Sequence, residues 1–92
     1  EITKLEKNGS FVYESVPGTK VEGFIADEKQ VSFLVEGNAH TQITLDLEEE
    51  KVYRVFVDGN SLGNMVTNIG GKLVMSVDLT TGQPREVVIE RI

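Results

Sequence analysis

The 92-residue sequence has no cysteine, no tryptophan, a single histidine and only two prolines. Without cysteine there is no disulfide framework, no thiol nucleophile and no thiolate-held zinc. One histidine excludes a multi-histidine metal site within the chain. Cationic residues are also few: 9 Lys+Arg stand against 15 Asp+Glu, a formal net charge of −6. Such a surface offers no electrostatic footprint for a phosphate backbone, so nucleic acid is not an expected partner. No apolar run approaches the roughly 18 residues of a membrane helix, so a membrane is not an expected partner either. No basic stretch followed by an apolar one opens the chain as a signal peptide would.

What is abundant is β-branched. The chain holds 13 Val, 6 Ile and 7 Thr, 26 residues in all, against two Ala. Branching at Cβ costs rotamer freedom in a helix and packs well on a pleated surface, so the composition points to sheet. Period-two alternation supports it. Val31, Phe33 and Val35 alternate with Ser32, Leu34 and Glu36; Thr41, Ile43, Leu45 and Leu47 with Gln42, Thr44 and Asp46; and Leu73, Met75, Val77 and Leu79 form the cleanest series. Each is the mark of a half-buried strand. Turn signals separate the runs at Asn8-Gly9, Pro17-Gly18, Gly37-Asn38, Asp58-Gly59 and Gly70-Gly71. Gly23 interrupts one run and suggests a bulge. The spacing predicts about nine short strands in an all-β antiparallel sandwich, immunoglobulin-like or jelly-roll, with Ile43, Leu45, Leu73, Met75 and Val77 in a shared core. The chain opens on Glu1 rather than Met, which suggests that residues 1–92 form one β-sandwich module excised from a larger protein.

The chemical candidates reduce to turn and surface residues. Three consecutive acids, Glu48 to Glu50, read as a solvated connector, and no pair of carboxylates forms an acid/base couple of the glycosidase type. His40 has no Gly-x-Ser-x-Gly elbow to serve, so catalysis is not expected. The glycine pairs lack the following helix and Lys-Ser/Thr of a phosphate cradle. Calcium is the one cofactor the loops leave open, through Asp58, Asn60 and Asn64 at one hairpin or Asp27 and Glu28 at another, although their spacing matches no EF-hand. Asn8-Gly9-Ser10 has the form of a glycosylation sequon and reads better as a hairpin turn. Glycan binding relies on exposed rings that cover the apolar face of a sugar. Here Phe33 and Tyr53 fall on core-facing registers, which leaves Tyr13 and Phe56 for the outside. By the same alternation Leu34, Val52 and Val74 point outward, so Leu34, Val52, Phe56, Val74 and Tyr13 make up the expected docking or ligand surface.

One half of the sequence carries a further pattern. It runs Tyr53-x-Val55-x-Val57-Asp58-Gly59, then Leu62-Gly63, then Gly71-Lys72-Leu73-Val74-Met75-Ser76-Val77-Asp78-Leu79, and ends Val87-Val88-Ile89-Glu90-Arg91-Ile92. Residues 52–92 resemble the small immunoglobulin-like or jelly-roll accessory modules of secreted bacterial polysaccharide-degrading enzymes. The resemblance implies a secreted or cell-surface, multidomain, carbohydrate-active parent, and it supplies no site residues. The expected role is that of a non-catalytic accessory module, structural or docking against a neighbouring domain of the same polypeptide. A carbohydrate-binding module with polysaccharide as partner, and a protein–protein assembly or adhesion domain, are the alternatives.

Overall fold

The computed structural model describes residues 2–7, 10–27 and 29–92, and all side chains in those ranges except those of Lys7, Ser10 and Phe11. The Asn8-Gly9 turn and Glu28 lie outside the described residues. Nine strands run in chain order: β1 (Thr3–Lys7), β2 (Ser10–Val16), β3 (Lys20–Ala26), β4 (Gln30–Glu36), β5 (His40–Asp46), β6 (Val52–Val57), β7 (Asn60–Val66), β8 (Lys72–Asp78) and β9 (Arg85–Arg91). Every pairing among them is antiparallel. No helix among the described residues is long and apolar enough to cross a membrane.

The strands form a four-stranded sheet, β1-β2-β5-β8, and a five-stranded sheet, β3-β4-β9-β6-β7. The expected all-β sandwich is therefore what the chain builds. The order β1-β2-β5 keeps the A-B-E neighbours of an immunoglobulin sheet, while β8 takes the fourth place and β9 sits between β4 and β6. Hairpins stay within a sheet (β1-β2, β3-β4 and β6-β7), and the chain changes sheet at each of the other connections.

The alternating apolar positions face each other across the two sheets. Tyr13, Ile43, Leu45, Leu73, Met75 and Val77 from one sheet join Val31, Phe33, Val35, Tyr53, Val55, Val57, Val87 and Ile89 from the other in one buried cluster. The predicted core residues Ile43, Leu45, Leu73, Met75 and Val77 are all in it. An edge-to-face pair, Tyr13 against Phe33 at 5.4 Å between ring centres, and the stacked Phe24–Phe33 pair at 5.6 Å fill one end.

Polar groups that enter this interior are paired. The Tyr13 hydroxyl lies 2.8 Å from Thr19 Oγ1, which is also 2.9 Å from Ser15 Oγ. Burial of the ring pushes the Tyr13 hydroxyl above its ordinary pKa, with the two hydroxyl contacts opposing. At the other connections, Thr67 Oγ1 donates to the Glu48 carbonyl at 2.6 Å and accepts from the Lys51 N–H at 2.9 Å. The Leu47 N–H reaches the Gly71 carbonyl at 2.7 Å. Gly71 has φ of 79°, and a Cβ there would stand 2.5 Å from the Leu47 carbonyl oxygen, so only glycine fits.

Candidate functional site

The expected surface set divides between interior, front and back. Tyr13 is a correction: it is 0% exposed rather than outside. Its cross-strand partner on β5 is Leu45, itself a core residue, so the pairing turns the ring inward. Val74 is 50% exposed as expected, but it lies on β8 in the four-stranded sheet, whereas Leu34, Val52 and Phe56 lie in the five-stranded one. Val74 therefore shares no face with them. Leu34 (44%) and Val52 (39%) are exposed and Phe56 is half-buried.

Registers show what surrounds these three on the outer face of the five-stranded sheet. One row runs Ile25–Ser32–Val88–Phe56–Ser61 across all five strands. Leu34 sits one step along β4 from Ser32, diagonal to Val88 and so within reach of it. A polar row, Gln30–Glu90–Arg54–Asn64, crosses next. Beyond it Val52 pairs with Val66, and the Ile92 N–H donates to the Val52 carbonyl at 3.1 Å. Glu22, Glu86 and Glu90 outnumber Arg54 among the charges at these registers.

Ile25, Val88, Val66 and Ile92 belong to this face and were not in the expected set. Val88 was legible, since it alternates with the inward Val87 and Ile89. Ile25 was not, because the register shift between Glu22 and Ile25 reverses the alternation along β3.

The outer face of the four-stranded sheet differs. Its central row is Lys4–Glu14–Thr44–Val74, and its ends carry Asp46 opposite Lys72 and His40 opposite Asp78. Lys72 Nζ lies 2.8 Å from Asp46 Oδ1, and Lys4 Nζ 3.6 Å from Glu14 Oε2. Val16 pairs with Gln42 in the neighbouring row, and β5 separates it from Val74.

Of the acids considered for calcium, the described ones, Asp58 and Asp27, are engaged elsewhere. Asp58 Oδ1 accepts from the Glu86 N–H at 2.9 Å and Oδ2 from Arg85 Nε at 2.6 Å. The Glu86 main-chain bond holds the Asp58 carboxyl below its ordinary pKa, opposed by burial and helped by Arg85. Asp58 and Gly59 both have positive φ, 51° and 80°, as a type I′ hairpin turn requires. Asp27 Oδ1 accepts from the Lys29 and Gln30 N–H groups at 2.8 and 2.9 Å. Among the described residues no three acids or histidines group as metal ligands. His40 Nδ1 is 3.9 Å from Asp78 Oδ1 on the open surface.

One cleft of about 160 Å³ opens between the sheets, lined by Val12, Phe24, Val31, Leu45, Leu47 and Tyr53 with three acids. The acids are already paired: Asp27 to main chain, Asp46 to Lys72, and Glu48 to Arg91 Nη1 at 2.8 Å. The Tyr53 hydroxyl accepts from the Glu48 N–H at 3.2 Å. The cleft is thus mainly apolar, with Gln30 also in its lining.

No family model, curated protein or solved structure matches the chain. The likeness of residues 52–92 to accessory modules of polysaccharide-degrading enzymes rests on the hairpin and strand pattern alone.

Proposed function

We propose that the chain is a non-catalytic accessory β-sandwich module of a larger, extracellular, carbohydrate-active protein, and that it docks a neighbouring domain. The docking surface is the outer face of the five-stranded sheet, centred on Phe56, Val88 and Leu34 and continued by Val52 and Val66. The observation that carries the reading is the contrast between the two outer faces. A sheet that meets only water alternates apolar-in and polar-out; the four-stranded one keeps closer to this, its exposed Val16 and Val74 lying on strands separated by β5. The five-stranded sheet breaks that rule in two of its rows. Contiguous exposed apolar surface rimmed by polar groups is typical of interaction sites. Glu22 is paired with Lys20 at 3.0 Å, and Glu86 and Glu90 around the apolar residues favour a neighbour with an apolar centre and a basic rim.

The aromatic inventory favours docking over sugar binding. Tyr13, Phe33 and Tyr53 are buried, and Phe24 and Phe56 are half-buried, which leaves no open ring platform among the described side chains.

The test compares Phe56→Ser in the isolated chain and in the full protein that carries it, by thermal unfolding. Docking predicts a clearly larger loss in the full protein. Equal losses would mean that Phe56 serves only its own sheet, and the reading would be abandoned.

A further inference from the structure

We infer that the cleft between the sheets is a binding site for a small neutral molecule with an apolar body the size of one ring and a single hydrogen-bond acceptor, such as a carbonyl oxygen. The cleft owes its opening to β3. Val21 packs on the core opposite the buried Val35. A strict alternation from Val21 would turn Gly23 and Ile25 inward, and Phe24 and Ala26 outward. The register shift between Glu22 and Ile25, with Gly23 at φ of 63°, exchanges them. Phe24 then stacks on the buried Phe33, and Ala26 stands opposite the buried Val31. Cross-strand partners share a face, so Ala26 is turned between the sheets. Both Phe24 and Ala26 line the cleft, and Ala26 stays exposed there. A single methyl group stands where a larger side chain would close the mouth.

The walls select the occupant. The volume of 160 Å³ fits a single ring, since an apolar cavity of about 150 Å³ takes a benzene-sized molecule. Val12, Phe24, Val31, Leu45 and Leu47 offer that ring hydrocarbon. One polar group remains unspent. Tyr53 is 4% exposed, and its hydroxyl accepts from the N–H of Glu48, a residue that lines the cleft beside it. Among the described residues no acceptor takes the Tyr53 proton. A phenol that only accepts has one hydrogen bond left to give, and an oxygen on the occupant receives it. A water is held less well there, because a buried water needs roughly two to four polar partners. Gln30 also lines the cleft but is exposed and stays with solvent at the rim.

Charge narrows the choice to neutral molecules. No Lys or Arg among the described residues lines the cleft, so an anionic head group would find no cation in its walls. Asp27, Asp46 and Glu48 are bonded to main chain, Lys72 and Arg91, so they do not call for a cation either. The cleft lies inside the sandwich, apart from the proposed docking face, so either stands without the other.

NMR titration of the isotope-labelled chain tests the inference with two probes of matched shape. Cyclohexanone carries the acceptor, and methylenecyclohexane has a CH₂ group in its place. Both should shift the methyl resonances of Val12, Val31, Leu45 and Leu47 in a saturable way. Tyr53→Phe keeps the ring and removes the O–H. It should weaken cyclohexanone about five-fold and leave methylenecyclohexane within about two-fold. Ala26→Phe fills the space and should abolish saturable binding of both, with a urea titration to check that the variant is folded. The inference is overturned if neither probe moves those methyl groups up to its solubility limit, or if the shifts centre on Phe56 and Val88 instead. It is equally overturned if binding survives Ala26→Phe in a folded chain, or if Tyr53→Phe affects the two probes alike.

Discussion

The outer faces of the two sheets are built from the same kind of alternating strand and end in different chemistry. On the four-stranded sheet, cross-strand neighbours are Lys4 with Glu14, Asp46 with Lys72, and Gln42 with Ser76. Charges cancel in pairs, and Val74 stands alone at the edge. On the five-stranded sheet the neighbours are Val88 with Phe56 and Val52 with Val66. An isolated exposed valine is ordinary in any soluble protein, whereas apolar groups that meet across strands form a surface. The difference teaches that exposure of single residues is a poor guide, and that register, which decides who stands beside whom, is what turns exposed residues into a site.

The largest expected effect sharpens the contrast between inner and outer faces on a single strand. Ile89 is fully buried while Val88, its neighbour on β9, is on the outer face. Ile89→Ala should cost about 2–5 kcal/mol in chemical denaturation. Val88→Ala should cost less than half as much; equal costs would mean that the outer face is already packed like a core.

Phe56→Ser comes next. Its ring is half-buried in the isolated chain, so a loss of about 1–2 kcal/mol is expected there from the apolar area it covers. Urea titration of the isolated chain reads this directly, and a loss below about 0.3 kcal/mol would place Phe56 wholly outside the fold's own packing.

The acid limb of stability isolates a turn at the rim of the apolar face. Asp58, Asp27 and Asp78 all lie below the ordinary value of 3.8, Asp58 chiefly through the Glu86 N–H, Asp27 through the Lys29 and Gln30 N–H groups, and Asp78 through Thr80. A carboxyl with a lowered folded pKa adds stability that is fully present above its unfolded value. That stability is lost as pH falls through the folded pKa. The fold should therefore weaken progressively below about pH 4. Asp58→Asn should flatten that decline in a series of thermal melts, and an unchanged slope would show that Asp58 is not its source.

The smallest effects compare the faces most directly. Lys72→Ala breaks a half-exposed ion pair and should cost no more than about 1 kcal/mol in the isolated chain. Leu34→Ser should change stability by less than about 0.5 kcal/mol. If the two faces differ as proposed, Leu34→Ser should also lower binding of a hydrophobic surface dye, and Val74→Ser should not. Equal dye responses would break the comparison.

Much of this was legible in the residues. Alternation at Thr41–Leu47 and Leu73–Leu79 marked β5 and β8, and Asp58-Gly59 marked the β6-β7 turn. Within one strand, inward and outward follow from counting by two, which is why Leu34 and Val52 are exposed as expected. The count failed where another strand had a say. Tyr13 is drawn inward opposite Leu45, where Thr19 and Ser15 satisfy its hydroxyl. Ile25 lies past a shift that resets the count along β3.

The sequence by itself determined that the chain would be all sheet, where its strands would run and which apolar series would fill the core. These depend on residues within one strand's length, because the pleat has a fixed period and turn chemistry is local. Only the tertiary structure decided that Val74 and Phe56 belong to different sheets, that Val88 lies between Ser32 and Phe56, and that Phe24 and Ala26 turn into the cleft. Strand pairing joins residues far apart in the chain, as Asp58 with Glu86 or Leu47 with Gly71. No local pattern encodes which distant strand will supply the partner, so the face and the cleft that carry the proposed roles emerge only when the sheets are assembled.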